Sequence, residues 1–101
     1  MEYYVYLIIT YYKKKLITYV GYTNNILKRL KLHNTSKGAK FTRGRSWEII
    51  YKRQYNTKKE AMMNEYRLKK NTFLIYLFRI MANLFQLLLL IVLIMKLVIV
   101  Y

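Results

Sequence analysis

A tyrosine, a fixed cation and the chain's one histidine fall within a single short stretch, YVGYTNNILKRLKLH, running from Tyr19 to His33. Arg29 and His33 are four residues apart, so on a helix they share one flank. With the Tyr19 hydroxyl they outline a site for an anion, and phosphate is the obvious one. A second group able to do chemistry is Glu65, in the stretch EAMMNEYRLKK from Glu60 to Lys70. On a helix it falls within the face set by Ala61, Met62 and Leu68, the face that should pack on a sheet. A carboxylate there must find a partner or take up a proton. Two partners are open. One is Lys69 at i+4, in a surface pair worth about 0.3–0.5 kcal/mol. The other is a divalent cation that keeps most of its waters, as Mg²⁺ prefers.

The elements that must position these groups can be read from periodicity. Tyr3 to Thr10 is a β-branched and aromatic run, with Tyr4, Tyr6 and Ile8 on one face and Val5, Leu7 and Ile9 on the other. Tyr11 to Lys15 is a basic connection short enough for a hairpin, though it lacks the Asn-Gly signature. The second strand alternates Leu16, Thr18 and Val20 against Ile17, Tyr19 and Gly21, and is expected to end in a glycine turn. Thr23, Asn24 and Asn25 are helix-capping types, and the helix after them carries Ile26, Leu27 and Leu30 as its apolar stripe. Asn34 to Ser46 reads as a loop holding Lys37, Lys40, Arg43 and Arg45, with Gly38 and Gly44 to let backbone approach a ligand. Trp47 to Tyr55 is a third strand. Thr57 with Glu60 three residues on starts a second helix that runs to about Lys70. The expected fold is α+β: a three-stranded antiparallel sheet flanked by helices in β-β-α-β-α order, followed by an apolar C-terminal helix.

Composition narrows the partners. The net charge is +15, and all four acids with seventeen of the nineteen bases precede Asn71, so residues 1–70 alone carry +13. Such a field favours nucleic acid or an anionic membrane surface. There is no cysteine, which excludes disulfides and thiolate metal sites. Tyr3 to Ile9 is too short and too aromatic for the apolar core of a signal peptide.

Tyr4-Val5-Tyr6, a short loop, Tyr19-Val20-Gly21, then Arg29, His33-Asn34 and Glu65 resemble the ordered motifs of the GIY-YIG endonuclease superfamily. The likeness is to its small single-domain members, related to the N-terminal nuclease domain of the repair protein UvrC. SKGAKFTRGRSWEIIY, from Ser36 to Tyr51, resembles their loop and third strand, and the Glu60–Lys70 stretch their second helix. The likeness covers roughly residues 3–70. It implies a metal-dependent endonuclease acting on DNA phosphodiesters, in repair or processing, with Mg²⁺ (or Mn²⁺) and no small-molecule cofactor. Tyr6 and Tyr19 would be the two motif tyrosines, Tyr19 helping to position or deprotonate the attacking water. Arg29 would bind the scissile phosphate, His33 would orient water or move a proton, and Glu65 would be the single protein ligand of the metal. Lys37, Lys40, Arg43 and Arg45 would hold flanking backbone without reading sequence. A silent nucleic-acid-binding module with the same fold is the alternative.

The resemblance stops where the tail begins, dividing the chain into a nuclease-like domain over 1–71 and an apolar segment over 72–101. Leu87 to Met95 is an uninterrupted apolar run of nine, and tolerating Asn83 and Gln86 extends it to sixteen from Ile80. A bilayer span needs about 20. The tail is expected to be helical over 73–95 and to add nothing to the core. As a membrane anchor it would hold the basic domain in the cytoplasm; as a frameshifted end it would have no role.

Overall fold

The alternation along the first strand decides the architecture, because both of its faces are apolar and both must be covered. In the computed structural model, which describes residues 2–100, β1 (Tyr3–Tyr12) is the central strand. It pairs antiparallel with β2 (Lys15–Thr23) on one side and β3 (Glu48–Tyr55) on the other, giving the order β2-β1-β3. The helices are α1 (Ile26–Asn34), α2 (Lys58–Lys70) and α3 (Thr72–Val100), and a 3₁₀ turn, Lys40–Thr42, lies between α1 and β3. This is the α+β architecture expected from the sequence, with its β-β-α-β-α element order and its apolar last helix, while the central place of β1 comes from the fold. One core holds Val5, Leu7, Ile9 and Val20 under Ala61 and Leu68 of α2. The other holds Tyr6, Ile8 and Trp47, with Tyr19 and Leu30 against them. A bulge opposite Leu7 and Ile8, which pair with Tyr51 and Ile49, leaves Ile50 as the extra residue.

Several local expectations change. The hairpin turns on Lys13 and Lys14, both in the left-handed region at φ 49° and 63°. That is the two-residue geometry the strand twist favours, imposed here on residues with no intrinsic liking for it. Gly21 does not end β2; it lies inside the strand, opposite Tyr6. Asn25 caps α1, its side chain accepting from the Lys28 amide. The α1 stripe narrows, and Leu27 is 80% exposed. Ile26 and Leu30 are an i,i+4 pair on one line, and Leu27 lies a further ~100° round. Met62 is exposed beside buried Ala61 for the same reason.

The tail is divided. Its first turns pack on the sheet face that the short α2 leaves open: Leu74, Ile75, Phe78 and Ala82 cover the Val5–Leu7–Ile9 core. Phe78 meets Tyr51 at 5.3 Å between ring centres, Arg79 donates to Thr18, and the Tyr11 hydroxyl donates to Asn83. The expectation that this segment adds nothing to the core is therefore corrected. Apolar residues all round the helix hid the local i, i+4, i+8 stripe of Leu74, Phe78 and Ala82. Leu84 and the apolar residues from Leu87 to Ile99 stay exposed.

Candidate active site

Tyr6 comes from the central strand and lays its ring across the backbone of the edge strand. A methyl group at Gly21 would stand 2.4 Å from the Tyr6 hydroxyl oxygen and 2.6 Å from Cζ. Glycine is required there by the phenol, not by a turn. Tyr6 is buried, and its hydroxyl is the meeting point of the site. His33 Nε2 lies 2.8 Å from it, and Arg29 Nε donates to it at 3.4 Å.

The direction of the hydrogen-bond chain follows from the far end. The Thr42 hydroxyl donates its one proton to the Ala39 carbonyl at 2.8 Å. It can therefore only accept from His33 Nδ1, 2.8 Å away, so Nδ1 carries the proton and Nε2 a lone pair. Tyr6 must then donate to His33. The chain runs Arg29 to Tyr6 to His33 to Thr42 to Ala39, each donor used once. His33 is 0% exposed, so any part it takes in chemistry passes through Tyr6. Burial and then the Arg29 charge hold its pKa down at about 4, which keeps the imidazole neutral. Burial pushes the Tyr6 hydroxyl above the usual phenol range, and the adjacent Arg29 pulls against it. Arg29 is held more firmly charged, first by its bond to Tyr6 and also by Tyr19.

Tyr19, from β2, is the more open of the two motif tyrosines. Its ring packs on His33 at 5.3 Å, on Phe41 at 6.1 Å and on Trp47 at 6.5 Å between centres. The loop after α1 is closed by Asn34, whose amide accepts from the Trp47 N–H and donates to the Trp47 carbonyl. Trp47 Nε1 donates to the Thr42 carbonyl. Gly38 also has a different duty from the one expected: a methyl there would lie 2.5 Å from His33 Nδ1. It makes room for the imidazole rather than for a ligand. Thr42, Phe41 and Trp47 thus support the site without having been singled out, and Asn34, named only as a motif residue beside His33, joins them. The sequence signals that could have found the others were an aromatic, Phe41, amid basic loop residues and the tryptophan that follows them.

Tyr6, Tyr19, Arg29 and His33 come together on the α1 side of the sheet. Glu65 arrives from α2, which packs on the other side. Its charge is felt at the Tyr6 hydroxyl, as the smallest of the influences on that group. Its side chain is 14% exposed and pairs with Lys69 at 2.5 Å. Among the described residues no three His, Cys, Asp or Glu side chains gather to hold a metal. One little-exposed carboxylate suits a cation that keeps its waters and shares a substrate phosphate, with Lys69 swinging aside. In the basic loop, Lys37, Lys40 and Arg43 are exposed, whereas Arg45 is half-buried between two aromatic rings.

The chain is similar to several known proteins. The family description "GIY-YIG catalytic domain" matches residues 2–73. A UPF0213 protein of Oceanobacillus iheyensis is 53% identical over 53 residues, covering 52% of this chain and 62% of that protein. The UPF0213 protein YazA of Bacillus subtilis is 51% identical over 55 residues, covering 54% and 56%. The solution NMR structure of the UPF0213 protein BH0048 from Bacillus halodurans is 40% identical, covers 68% of this chain and 71% of its own, and superposes with a TM-score of 0.37. The chain belongs to the GIY-YIG family, a family of nucleases. Its matched part spans about three-fifths of the length of these two curated relatives, 62% of one and 56% of the other.

Proposed function

We propose that this protein is a metal-dependent endonuclease that hydrolyses DNA phosphodiester bonds, in DNA repair or processing. The observation that carries the reading is the one-way chain from Arg29 through Tyr6 to neutral His33, built around the Gly21 notch. Arg29 would take the scissile phosphate, stabilising the charge that builds in the transition state. Tyr19 would position the attacking water and accept or pass on its proton. His33 positions Tyr6, and Tyr6 in turn fixes the Arg29 fork. A divalent cation at Glu65, Mg²⁺ or Mn²⁺, would polarise the phosphate and neutralise the leaving oxygen. Although α2 covers the opposite sheet face, support for this comes from the Glu65 charge reaching the Tyr6 hydroxyl, which Arg29 also contacts. Lys37, Lys40 and Arg43 would hold flanking phosphates on either side of the cut.

The test is cleavage of single-stranded, duplex and branched DNA by full-length protein with Mg²⁺ or Mn²⁺. Glu65→Ala is expected to abolish cleavage while binding persists. A second reading is a silent DNA-binding module, and the Glu65–Lys69 pair is what favours it, since the carboxylate is already neutralised. A parent protein that binds every substrate and cuts none would establish that reading and remove the first.

The exposed part of α3 supports a membrane tether. Thr72–Ile99 has a mean hydropathy of 2.5. With the first turns committed to the sheet, the remainder from Leu84 would insert as an anchor beside the basic domain. Full-length protein is expected to co-sediment with anionic liposomes in high salt. Release by salt alone would leave only surface electrostatics and rule out insertion.

A further inference from the structure

A cleft of about 380 Å³ opens at the hairpin end of the sheet, lined among others by Thr10, Tyr12, Arg45, Ser46, Glu48 and Gln86. It lies away from the Tyr6–His33 chain, yet a ladder of rings joins the two. Tyr19 stacks on Phe41 at 6.1 Å, and the Arg45 guanidinium sits 5.1 Å over Phe41 and 4.8 Å over Tyr12. Phe41 and Tyr12 remain 52% and 41% exposed. Arg45 is held by ring faces alone: its guanidinium has no hydrogen bond or ion pair with any described residue, and its Nη1 is buried without a partner. Glu48 lines the same cleft and is not paired with it.

A guanidinium offers only donors and a carboxylate only acceptors. Lining one cleft and not paired with each other, they suit a ligand that carries an acceptor and a donor on a flat, stackable body. A phosphate in the cleft would be repelled by Glu48. The exposed edge of an unpaired nucleobase meets all three demands. We propose that this cleft receives one unpaired base of a DNA strand whose scissile phosphate lies at Arg29. The half-exposed Tyr12 ring supplies the stacking face, and Arg45 and Glu48 contact the base edge. The assignment rests on the nuclease reading for the nature of its ligand, and it separates Arg45 from Lys37, Lys40 and Arg43, the backbone contacts.

The experiment titrates full-length protein, in EDTA, with a labelled single-stranded oligonucleotide in which an abasic nucleotide is moved one position at a time. The matching duplex is run alongside. One position is expected at which loss of the base weakens single-strand binding about 5- to 100-fold, in line with the worth of one stacked base. That dependence is absent in the duplex and disappears in Arg45→Leu, whose log–log salt slope stays that of the parent. A flat abasic scan of the parent overturns the proposal, however the variant behaves. So does a salt slope flattened by about one in Arg45→Leu, the mark of a lost phosphate contact. The nuclease reading fails separately, when the parent binds DNA and cuts none with Mg²⁺; a position-dependent scan in that protein still supports the cleft.

Discussion

Taking the protein from pH 7 to pH 4 is expected to remove about 3 kcal/mol of its stability through His33 alone. The imidazole is fully buried and its pKa in the fold is about 4, against 6.5 for a free histidine. The sign follows from which state binds the proton first. As pH falls below about 6.5 the unfolded chain takes up a proton that the folded chain refuses, so the unfolded state gains. The full contribution is present above that value, shrinks steadily as pH falls, and has gone by about 4, below which the term is flat. Protonation would also cost a hydrogen bond, since His33 Nε2 would become a second donor facing a Tyr6 hydroxyl that now donates to it. Guanidinium unfolding at pH 7, 5.5 and 4, on the parent and on His33→Gln, measures the effect. The variant is expected to be weaker at pH 7 and to lose less on acidification. Parallel curves for the two proteins would show that His33 is not the titrating group.

The second large effect is on catalysis. Arg29→Ala is expected to lower kcat by about 10²- to 10³-fold, the usual consequence of removing a preorganised donor from a developing charge. DNA binding should weaken far less, because Lys37, Lys40 and Arg43 remain. The same change has a second signature, readable without any turnover. Arg29 is one of two influences that depress the His33 pKa, and it opposes the upward push of burial on Tyr6. In Arg29→Ala the His33 pKa should therefore move up toward its free value, so the acid loss still begins near 6.5 but ends at a higher pH, and the pH-dependent part of stability shrinks. A variant that cuts DNA at the parental rate would remove Arg29 from the site. An unchanged pH profile would show that its charge is not felt by the imidazole.

The sequence by itself determined the sheet, because alternation along β1 admits only one division of its side chains: Val5, Leu7 and Ile9 against Tyr6 and Ile8. It also placed Arg29 and His33 on one helical flank, since four residues are close to one turn, and both do meet the Tyr6 hydroxyl. It could not say why the glycines are there. Gly21 and Gly38 read as turn and loop residues, and only the packed chain shows each filled by a ring from elsewhere, Tyr6 in one case and His33 in the other. The tautomer of His33 was likewise beyond a linear reading, because it is set by a carbonyl at Ala39 through Thr42. Glu65 was legible as an anomaly on its helix, and tertiary structure decided that its helix covers the face opposite Arg29. Arg45 counted as one more positive charge until the fold closed Tyr12 and Phe41 around it. The tail's hydrophobicity was plain from composition. Which of its turns would pack was not, since uniform apolarity carries no phase, and the choice fell to the area of sheet that a thirteen-residue α2 leaves bare.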